Sequence, residues 1–263
     1  MRAHYEIERE LADRLRESLP RERAALYGVV YDELFRRVSD HPQLNDSAAD
    51  RKRWVEAQIE LLAPLLTPSS SLLEIGAGDC ALSLALAPRV REVRALDVSE
   101  EIAPEGPTPA NFSFVLSDGL TMPVAARSVD LAYSNQLMEH LHPEDAHQQL
   151  KEIARSLAPG GQYLCVTPHR FSGPHDVSGF FDREATGFHL KEYTVGELCV
   201  LLRDSGFEKL QVVVLARGRR AVLPATIVVQ LERALGRVPR PARRWLARSP
   251  LRAVLGVTML ATR

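Results

Sequence analysis

The stretch that decides the fold is Leu72-Leu73-Glu74-Ile75-Gly76-Ala77-Gly78-Asp79-Cys80. A short apolar run, typical of a buried strand, leads directly into a Gly-x-Gly turn and then into a helical pattern. Glycines at 76 and 78 let the backbone adopt positive φ angles and approach a ligand closely. The N-terminus of the following helix adds N–H groups and positive potential. The stretch therefore predicts a cofactor-binding turn, and a tight turn without a ligand is the plainer alternative.

The glycines also satisfy a relaxed dinucleotide fingerprint, Gly76-x-Gly78-x-x-Ala81, with Asp97 near the position of the expected ribose-binding acid. On these residues alone, an NAD(P)-dependent oxidoreductase is one interpretation. However, Glu74 precedes the glycines. A carboxylate there suits a ligand with ammonium or sulfonium groups, whereas it repels a bare pyrophosphate.

The order acid-x-Gly-x-Gly in Glu74-Ile75-Gly76-Ala77-Gly78 resembles the first motif of class I methyltransferases, which use S-adenosyl-L-methionine (SAM). The resemblance implies that the turn lies against the amino-acid portion of SAM. It also implies that Glu74 organises the loop and the ammonium group of the ligand. Cys80 stands where this family commonly has glycine, and its side chain is small enough for the turn to persist.

Further segments between Leu72 and Leu215 resemble the family in the correct order. Asp97 ends a second strand, and the resemblance implies that its carboxylate accepts both ribose hydroxyls. Segment 117–120 follows a third strand, where the family places an acid near the adenine amino group. Segment 135–141 resembles the part that closes over the methyl donor. The implied cofactor-binding residues are Glu74, Gly76, Ala77, Gly78, Asp97, Val98, Asp118, Gly119, Leu120 and Asn135.

Short apolar runs alternate with helical patterns after residue 70, which predicts an α/β fold with a doubly wound, mainly parallel sheet. Seven strands are expected, at Ser71–Ile75, Glu92–Asp97, Phe112–Leu116, Val129–Ser134, Gln162–Thr167, Phe207–Leu215 and Leu251–Thr262. The resemblance identifies this as the Rossmann-like methyltransferase fold. Residues 1–66 are predicted to form an N-terminal helical cap, and 67–263 the SAM-binding methyltransferase domain, in which 217–263 completes the sheet.

Segment 168–194 is long, has little periodicity and follows the fifth strand, which predicts an acceptor-facing loop at the ligand edge of the sheet. If the acceptor is a hydroxyl, a base must remove its proton, and histidine is the natural candidate near neutral pH. His169, His175 and His189 lie in this segment and are the candidate catalytic bases, although each is equally well explained as a structural hydrogen-bonding residue. No dense cluster of carboxylates and histidines is visible along the sequence, so no metal ion is predicted.

Aromatic residues Tyr5, Tyr27, Tyr31 and Trp54 lie on the N-terminal helices. The resemblance implies that leading helices cover the donor and acceptor pocket, and ordinary helix packing is the alternative.

The formal charge of −1 hides an asymmetry. The stretch 217–263 contains eleven arginines and one acid, Glu232, and carries a formal charge of +10. This charge leaves open an anionic acceptor or, because Trp245 lies among the arginines, peripheral contact with a membrane surface. A nucleic-acid partner is not expected, because no binding module is recognisable.

Three widely spaced cysteines and a charged N-terminus predict a cytoplasmic protein. Nothing in the sequence indicates an oligomeric state.

These observations predict a SAM-dependent methyltransferase that modifies a small molecule at a hydroxyl, with a phosphorylated or sugar-containing acceptor left open. The alternatives are an NAD(P)-dependent oxidoreductase and a non-catalytic SAM-binding scaffold protein.

Overall fold

The central sheet of the computed structural model has eight strands in the order β3-β2-β1-β4-β5-β8-β6-β7. The structure describes residues 1–38, 47–99, 103–104, 106–216, 219–249 and 256–263. The strands are β1 (Ser71–Ile75), β2 (Glu92–Asp97), β3 (Phe112–Leu116), β4 (Val129–Asn135), β5 (Leu157–Thr167), β6 (Lys209–Ala216), β7 (Arg219–Pro224) and β8 (Val257–Thr262). All pairs from β3 to β5 are parallel, whereas β8 is antiparallel to β5 and β6, and β7 is antiparallel to β6.

Helices cover both faces of this sheet. They are α1 (Arg2–Glu17), α2 (Pro20–Arg37), α3 (Ala48–Leu62), α4 (Ala81–Leu86), α5 (Pro143–Ser156), α6 (Val195–Asp204), α7 (Ala225–Gly236) and α8 (Arg240–Arg248). Successive side chains of β1 point to opposite faces of the sheet, so they join two different hydrophobic clusters. Leu73 belongs to the cluster that contains residues of α1, α2, α5 and α6. Leu72 belongs to the cluster that contains residues of α3 and α4. Both faces are buried, which confirms the predicted doubly wound, mainly parallel fold.

Among the described residues the sheet has eight strands instead of the predicted seven, because β7 forms a hairpin with β6. Its sequence begins with two arginines, Arg219 and Arg220, and no residue of the strand is fully buried. An edge strand of this kind lacks the apolar run that marks a buried strand, and charged side chains are common on exposed edges. The final strand is observed from Val257, and the predicted residues 251–255 lie outside the described residues.

The sheet positions a ligand crevice at the carboxyl end of β1. The chain passes from β1 to β2 on one side, while β4 pairs with the other side of β1. In open α/β sheets, this reversal of strand order leaves a crevice at the carboxyl ends of the strands, and ligands bind there. The loops after β1, β2 and β4 therefore border this ligand crevice.

Helix α2 is fixed over this edge by a buried ion pair. The Arg23 guanidinium is 1% exposed and donates to both carboxylate oxygens of Asp145 in α5, from Nε at 2.7 Å and from Nη2 at 3.1 Å. The Tyr27 hydroxyl also donates to Asp145 and accepts the backbone N–H of His142. Helix α2 thereby holds its aromatic face against the sheet. The division of the chain at residue 66 stays a prediction.

Segment 168–194 is packed against α1. The Arg16 guanidinium donates to the carbonyls of Thr186 and Gly187 at 3.1 and 2.8 Å, and the Tyr5 hydroxyl donates to Asp182. Within the segment, the Asp176 carboxylate accepts the backbone N–H groups of residues 178, 187 and 189. These bonds fix the segment as an ordered layer between α1 and the sheet.

The basic C-terminal helix α8 presents Trp245, which is 71% exposed, and packs the Arg243 guanidinium over the ring of Phe171 at 4.6 Å. Within the described part of the chain, no helix is both long and apolar enough to span a membrane.

Candidate functional site

A cavity of about 590 Å³ opens at the carboxyl ends of β1, β2 and β4. The glycine turn after β1 forms one side, residues 97–99 after β2 form another, and segment 135–141 after β4 lies opposite. The cap covers it with Tyr27 and Tyr31 of α2 and Trp54 of α3. Small-molecule sites have volumes of roughly 300–1,000 Å³, so the cavity has the size of a cofactor site.

The glycine turn presents backbone rather than side chains to this cavity. Gly76 has a φ of +70°, and its N–H donates to the Leu96 carbonyl at 2.8 Å. The positive φ favours glycine there, and a Cβ atom at Gly76 would lie 3.1 Å from Leu137 Cδ1, which would have to shift slightly. Cys80 adopts a left-handed conformation with a φ of 58°, a region that favours glycine. The turn keeps its shape with cysteine.

Glu74 lies beneath the turn and is 4% exposed. Its Oε2 atom accepts a hydrogen bond from Ser83 Oγ at 2.5 Å. Burial raises the pKa of Glu74 to about 8, and the nearby negative charge of Asp79 adds to the effect. The carboxyl group therefore holds a proton at neutral pH, and a cationic ligand would favour its ionised form.

Replacement of Glu74 by glutamine is expected to stabilise the unliganded protein at alkaline pH. Folded Glu74 binds its proton up to about pH 8, whereas the unfolded chain releases it near 4.5. The stability that this group contributes is complete below pH 4.5 and is lost as the pH rises through 8. Thermal unfolding should show a midpoint several degrees higher for Glu74→Gln at pH 8, and little difference at pH 5.

The matched control is Glu60→Gln, a change on the exposed face of α3. A parallel pH dependence of the unfolding midpoint in the wild type and Glu74→Gln would contradict the assignment.

Asp97 links the end of β2 to the glycine turn. Its Oδ2 accepts the Gly78 N–H at 2.7 Å, and its Oδ1 accepts the N–H groups of Val98 and Ser99 at 2.7 and 3.1 Å. Burial raises the pKa of Asp97, and these three backbone donors oppose that effect. Asp97 and Val98 both line the cavity, and their contact with the ribose stays a prediction.

The residues after β3 divide between the cavity and the core. Ser117 and Gly119 line the cavity, whereas Asp118 and Leu120 are not part of its lining. Asp118 Oδ1 closes the local turn by accepting the N–H groups of Leu120 and Thr121 at 2.9 and 2.7 Å. Leu120 is 4% exposed and belongs to the hydrophobic core. Of the four residues 117–120, the geometry brings only the first and third to the ligand edge.

The three candidate histidines do not line the cavity. His169 is buried, and its Nε2 lies 2.6 Å from Glu232 Oε1, while its Nδ1 accepts the Phe171 N–H. His175 is exposed, with its Nε2 2.8 Å from Ser172 Oγ. His169 and His175 therefore lie outside the lining of the cavity, held by long-range and local contacts, and their role as bases stays a prediction.

His189 belongs instead to a buried group behind the cavity wall. Glu139, His140 and His189 each offer a ligand atom, and these atoms lie within 4.8 Å of one another. The His140 ring lines the cavity and meets the His189 ring edge-on at 4.9 Å. No metal ion was predicted from the sequence, in which these potential ligands are not clustered, and the fold brings them together. The adjacent pair Glu139-His140, within the donor-closing segment 135–141, is the sequence signal for this group.

The pKa values of Glu139 and His189 are shifted because of the buried surroundings of these residues. Burial raises the pKa of Glu139 to about 7. Burial alone would lower the pKa of His189, but the hydrogen bond to Glu192 and the charge of Glu139 raise it. The group therefore combines a buried acid with two imidazoles beside the cavity.

The fold and the site define a class of protein. A doubly wound sheet, an acid before a side-chain-poor glycine turn, and a second acid after the next strand form a nucleoside-cofactor site of the Rossmann-like type. Residues 73–165 match a family model described as a methyltransferase domain. Over residues 73–165 the chain therefore matches the methyltransferase domain, and the similarity to SAM-dependent methyltransferases points to SAM as the cofactor of this region.

Two relatives illustrate the sequence similarity. A probable SAM-dependent methyltransferase of Mycolicibacterium smegmatis is 37% identical over 87 residues, which are 33% of this chain and 32% of the relative. A probable SAM-dependent methyltransferase of Mycobacterium tuberculosis is 30% identical over 160 residues, 60% of this chain and 56% of the relative. The chain thus spans about a third to about half of the length of these relatives.

Solved structures share the fold. A SAM-dependent methyltransferase from Archaeoglobus fulgidus has a TM-score of 0.54 at 17% identity, covering 90% of this chain and 100% of that one. Phosphoethanolamine N-methyltransferase 2 of Haemonchus contortus, in complex with SAM, has a TM-score of 0.55 at 15% identity, covering 87% and 60%. At these identities the comparison supports the fold alone.

Proposed function

We propose that this protein transfers the methyl group of SAM to a hydroxyl of a small-molecule acceptor. The observation that carries the proposal is the cavity itself, which has a backbone-lined turn on one side and the His140 ring on another. A donor on the turn and an acceptor beside His140 would meet across one enclosed space. Such alignment supplies much of the acceleration of an in-line displacement.

The donor side is proposed as follows. The turn 76–78 lies along the amino-acid portion of SAM, with Glu74 beneath it as the ionisable partner of the cationic ligand. Asp97 accepts the ribose hydroxyls, and Val98 and Gly119 flank the adenosyl group. Asn135 stands where the methyl group would project, because it ends β4 at the cavity. For Asp118 and Leu120 we keep only an indirect role, in shaping the turn.

The acceptor is proposed to be a hydroxyl compound without a phosphate group. The lining of the cavity contains the carboxyl groups of Glu74, Asp79 and Asp97 and one guanidinium, from Arg51. That guanidinium is already paired with Asp79 at 2.9 Å. No residue of the basic segment in its described part, 219–249 and 256–263, lines the cavity. The local charge therefore gives little support to an anionic acceptor.

A methylation assay separates this function from a non-catalytic SAM-binding scaffold. Purified protein is incubated with SAM and a panel of phenolic, sugar and aliphatic hydroxyl compounds, with phosphorylated members and amines as comparisons. Formation of S-adenosylhomocysteine that depends on a hydroxyl compound is the expected result. SAM binding without turnover on any member of the panel would favour the scaffold.

A cytoplasmic location, inferred from the cysteines and the N-terminus, stays a prediction.

A further inference from the structure

Glu139 has an unsatisfied carboxylate oxygen in the protein interior. Its side chain is 0% exposed, and Oε2 accepts the hydroxyl of Thr167 at 2.8 Å. Oε1 has no hydrogen-bond partner among the described residues. An unpaired buried carboxylate oxygen is costly, and such groups usually have an ion or water as partner. The oxygen therefore indicates a ligand that is not part of the chain.

The Nδ1 atoms of the two neighbouring histidines face oxygen acceptors, so Nε2 is the ring nitrogen that would ligate a metal. His140 Nδ1 lies 3.1 Å from the Phe188 carbonyl oxygen, which can only accept, so Nδ1 carries the proton. His189 Nδ1 lies 3.0 Å from Glu192 Oε1, a carboxylate oxygen that also accepts the His175 N–H at 2.6 Å. Metal-binding histidines are typically oriented in this way, with the second ring nitrogen donating to a carbonyl or carboxylate.

We propose that Glu139, His140 and His189 bind a divalent transition-metal ion at the acceptor side of the cavity. Two imidazole nitrogens and one carboxylate oxygen suit Zn²⁺, Fe²⁺ or Co²⁺ better than Mg²⁺ or Ca²⁺, which prefer oxygen ligands. The ligand atoms lie within 4.8 Å of one another. Tetrahedral bonds of about 2.0–2.1 Å bring ligand atoms to about 3.4 Å, so small side-chain rotations would close the site on the ion.

The ion has a task in the reaction, and this part rests on the proposed function. Three protein ligands leave an open coordination position, and the His140 ring places that side of the site at the cavity. An acceptor hydroxyl bound there would lose its proton to water near neutral pH, because the metal stabilises the alkoxide. The alkoxide lone pair then forms the O–CH₃ bond, while the C–S bond breaks and its electron pair stays on sulfur. The products are the methyl ether and neutral S-adenosylhomocysteine.

Binding of Co²⁺ to the full chain tests the site without relying on activity. After treatment with a chelator, the wild type should bind about one equivalent of Co²⁺ and show the visible absorption of Co²⁺ with nitrogen and oxygen ligands. Glu139→Gln and His189→Gln should each weaken this binding on the order of 100-fold or more. Glu192→Gln, which changes the carboxylate that contacts His189 Nδ1 and the His175 N–H, should weaken it by about 10- to 100-fold. Unfolding midpoints near that of the wild type show that each variant is folded.

The matched control is His147→Gln on α5, where the ring makes a long contact of 3.4 Å to the Asp204 carbonyl outside the group. It should bind Co²⁺ as the wild type does. No Co²⁺ spectrum in the wild type, or a spectrum unchanged in both Glu139→Gln and His189→Gln, would overturn the proposed site. Full methyl transfer in chelated protein would overturn its role in deprotonation while leaving the proposed function standing. Co²⁺ binding in a protein that binds no SAM would support the site and contradict the proposed function.

Discussion

Replacement of Asp97 by alanine is expected to raise the dissociation constant for SAM about 100-fold. Hydrogen bonds to a charged group contribute roughly 1.5–3 kcal/mol each, so loss of two ribose contacts costs about 3 kcal/mol or more. The change also removes the acceptor of the Gly78 N–H, which fixes the glycine turn to β2. Isothermal titration with SAM measures the effect directly. Asp97→Asn keeps one carbonyl oxygen for this N–H and should lose about tenfold.

Asp130→Ala is the matched control for this prediction. Asp130 also accepts backbone and hydroxyl groups, from Ser71 N–H and Oγ at 2.8 and 3.0 Å, but at the opposite end of β1. Its removal should lower the unfolding midpoint and leave the dissociation constant for SAM unchanged. An Asp97→Ala protein that is folded and binds SAM as tightly as the wild type would refute the proposed role of Asp97.

Replacement of Asp145 by alanine is expected to lower the free energy of unfolding by about 3–5 kcal/mol. It removes the buried carboxylate that pairs with Arg23, leaving the exposed Glu144 carboxylate at 2.6 Å as the remaining ionic partner, and it removes the acceptor of the Tyr27 hydroxyl. Breaking one side of a buried ion pair is costly because the other charge stays desolvated. Urea denaturation with linear extrapolation gives the free energy. Because Tyr27 and Tyr31 of α2 line the cavity, the variant should also bind SAM more weakly.

The double variant Arg23→Met with Asp145→Leu distinguishes the lost ion pair from lost packing. Apolar side chains of similar size remove the uncompensated charge, so the double variant should be more stable than Asp145→Ala alone. A loss below about 1 kcal/mol in the single variant would show that α2 is held by its apolar contacts instead.

The sequence predicted the part of the site whose geometry is local. The turn 76–78 and Asp97 lie at the carboxyl ends of β1 and β2, two neighbouring strands, so the strand pattern alone places them at one edge of the sheet. Strand β7 was not predicted because its arginines obscure the pattern of an edge strand. Asp118 was predicted at the ligand, and its Oδ1 accepts hydrogen bonds within its own turn. Such a choice between two partners is invisible without coordinates.

The positions of the histidines at the proposed acceptor side of the cavity could not be predicted in the same way, because their contacts join residues that are far apart in the sequence. His169 is oriented by Glu232, which follows it by 63 residues, and this pairing turns the ring into the interior. His140 and His189 meet only because segment 168–194 folds back between α1 and the sheet. The N-terminal aromatic residues differ in whether they reach the cavity, and this also depends on contacts between residues that are far apart in the sequence. Tyr27 and Tyr31 line the cavity, whereas Tyr5 stacks on Phe181.

A crystal structure with S-adenosylhomocysteine would test the central claim most directly, namely that the acid-led glycine turn holds the adenosyl donor. We predict that the ribose hydroxyls lie within hydrogen-bonding distance of the Asp97 carboxylate and that the sulfur lies over the turn 76–78, facing His140. An adenosyl group bound elsewhere, with the side chains of α2 closed over the turn, would contradict this account.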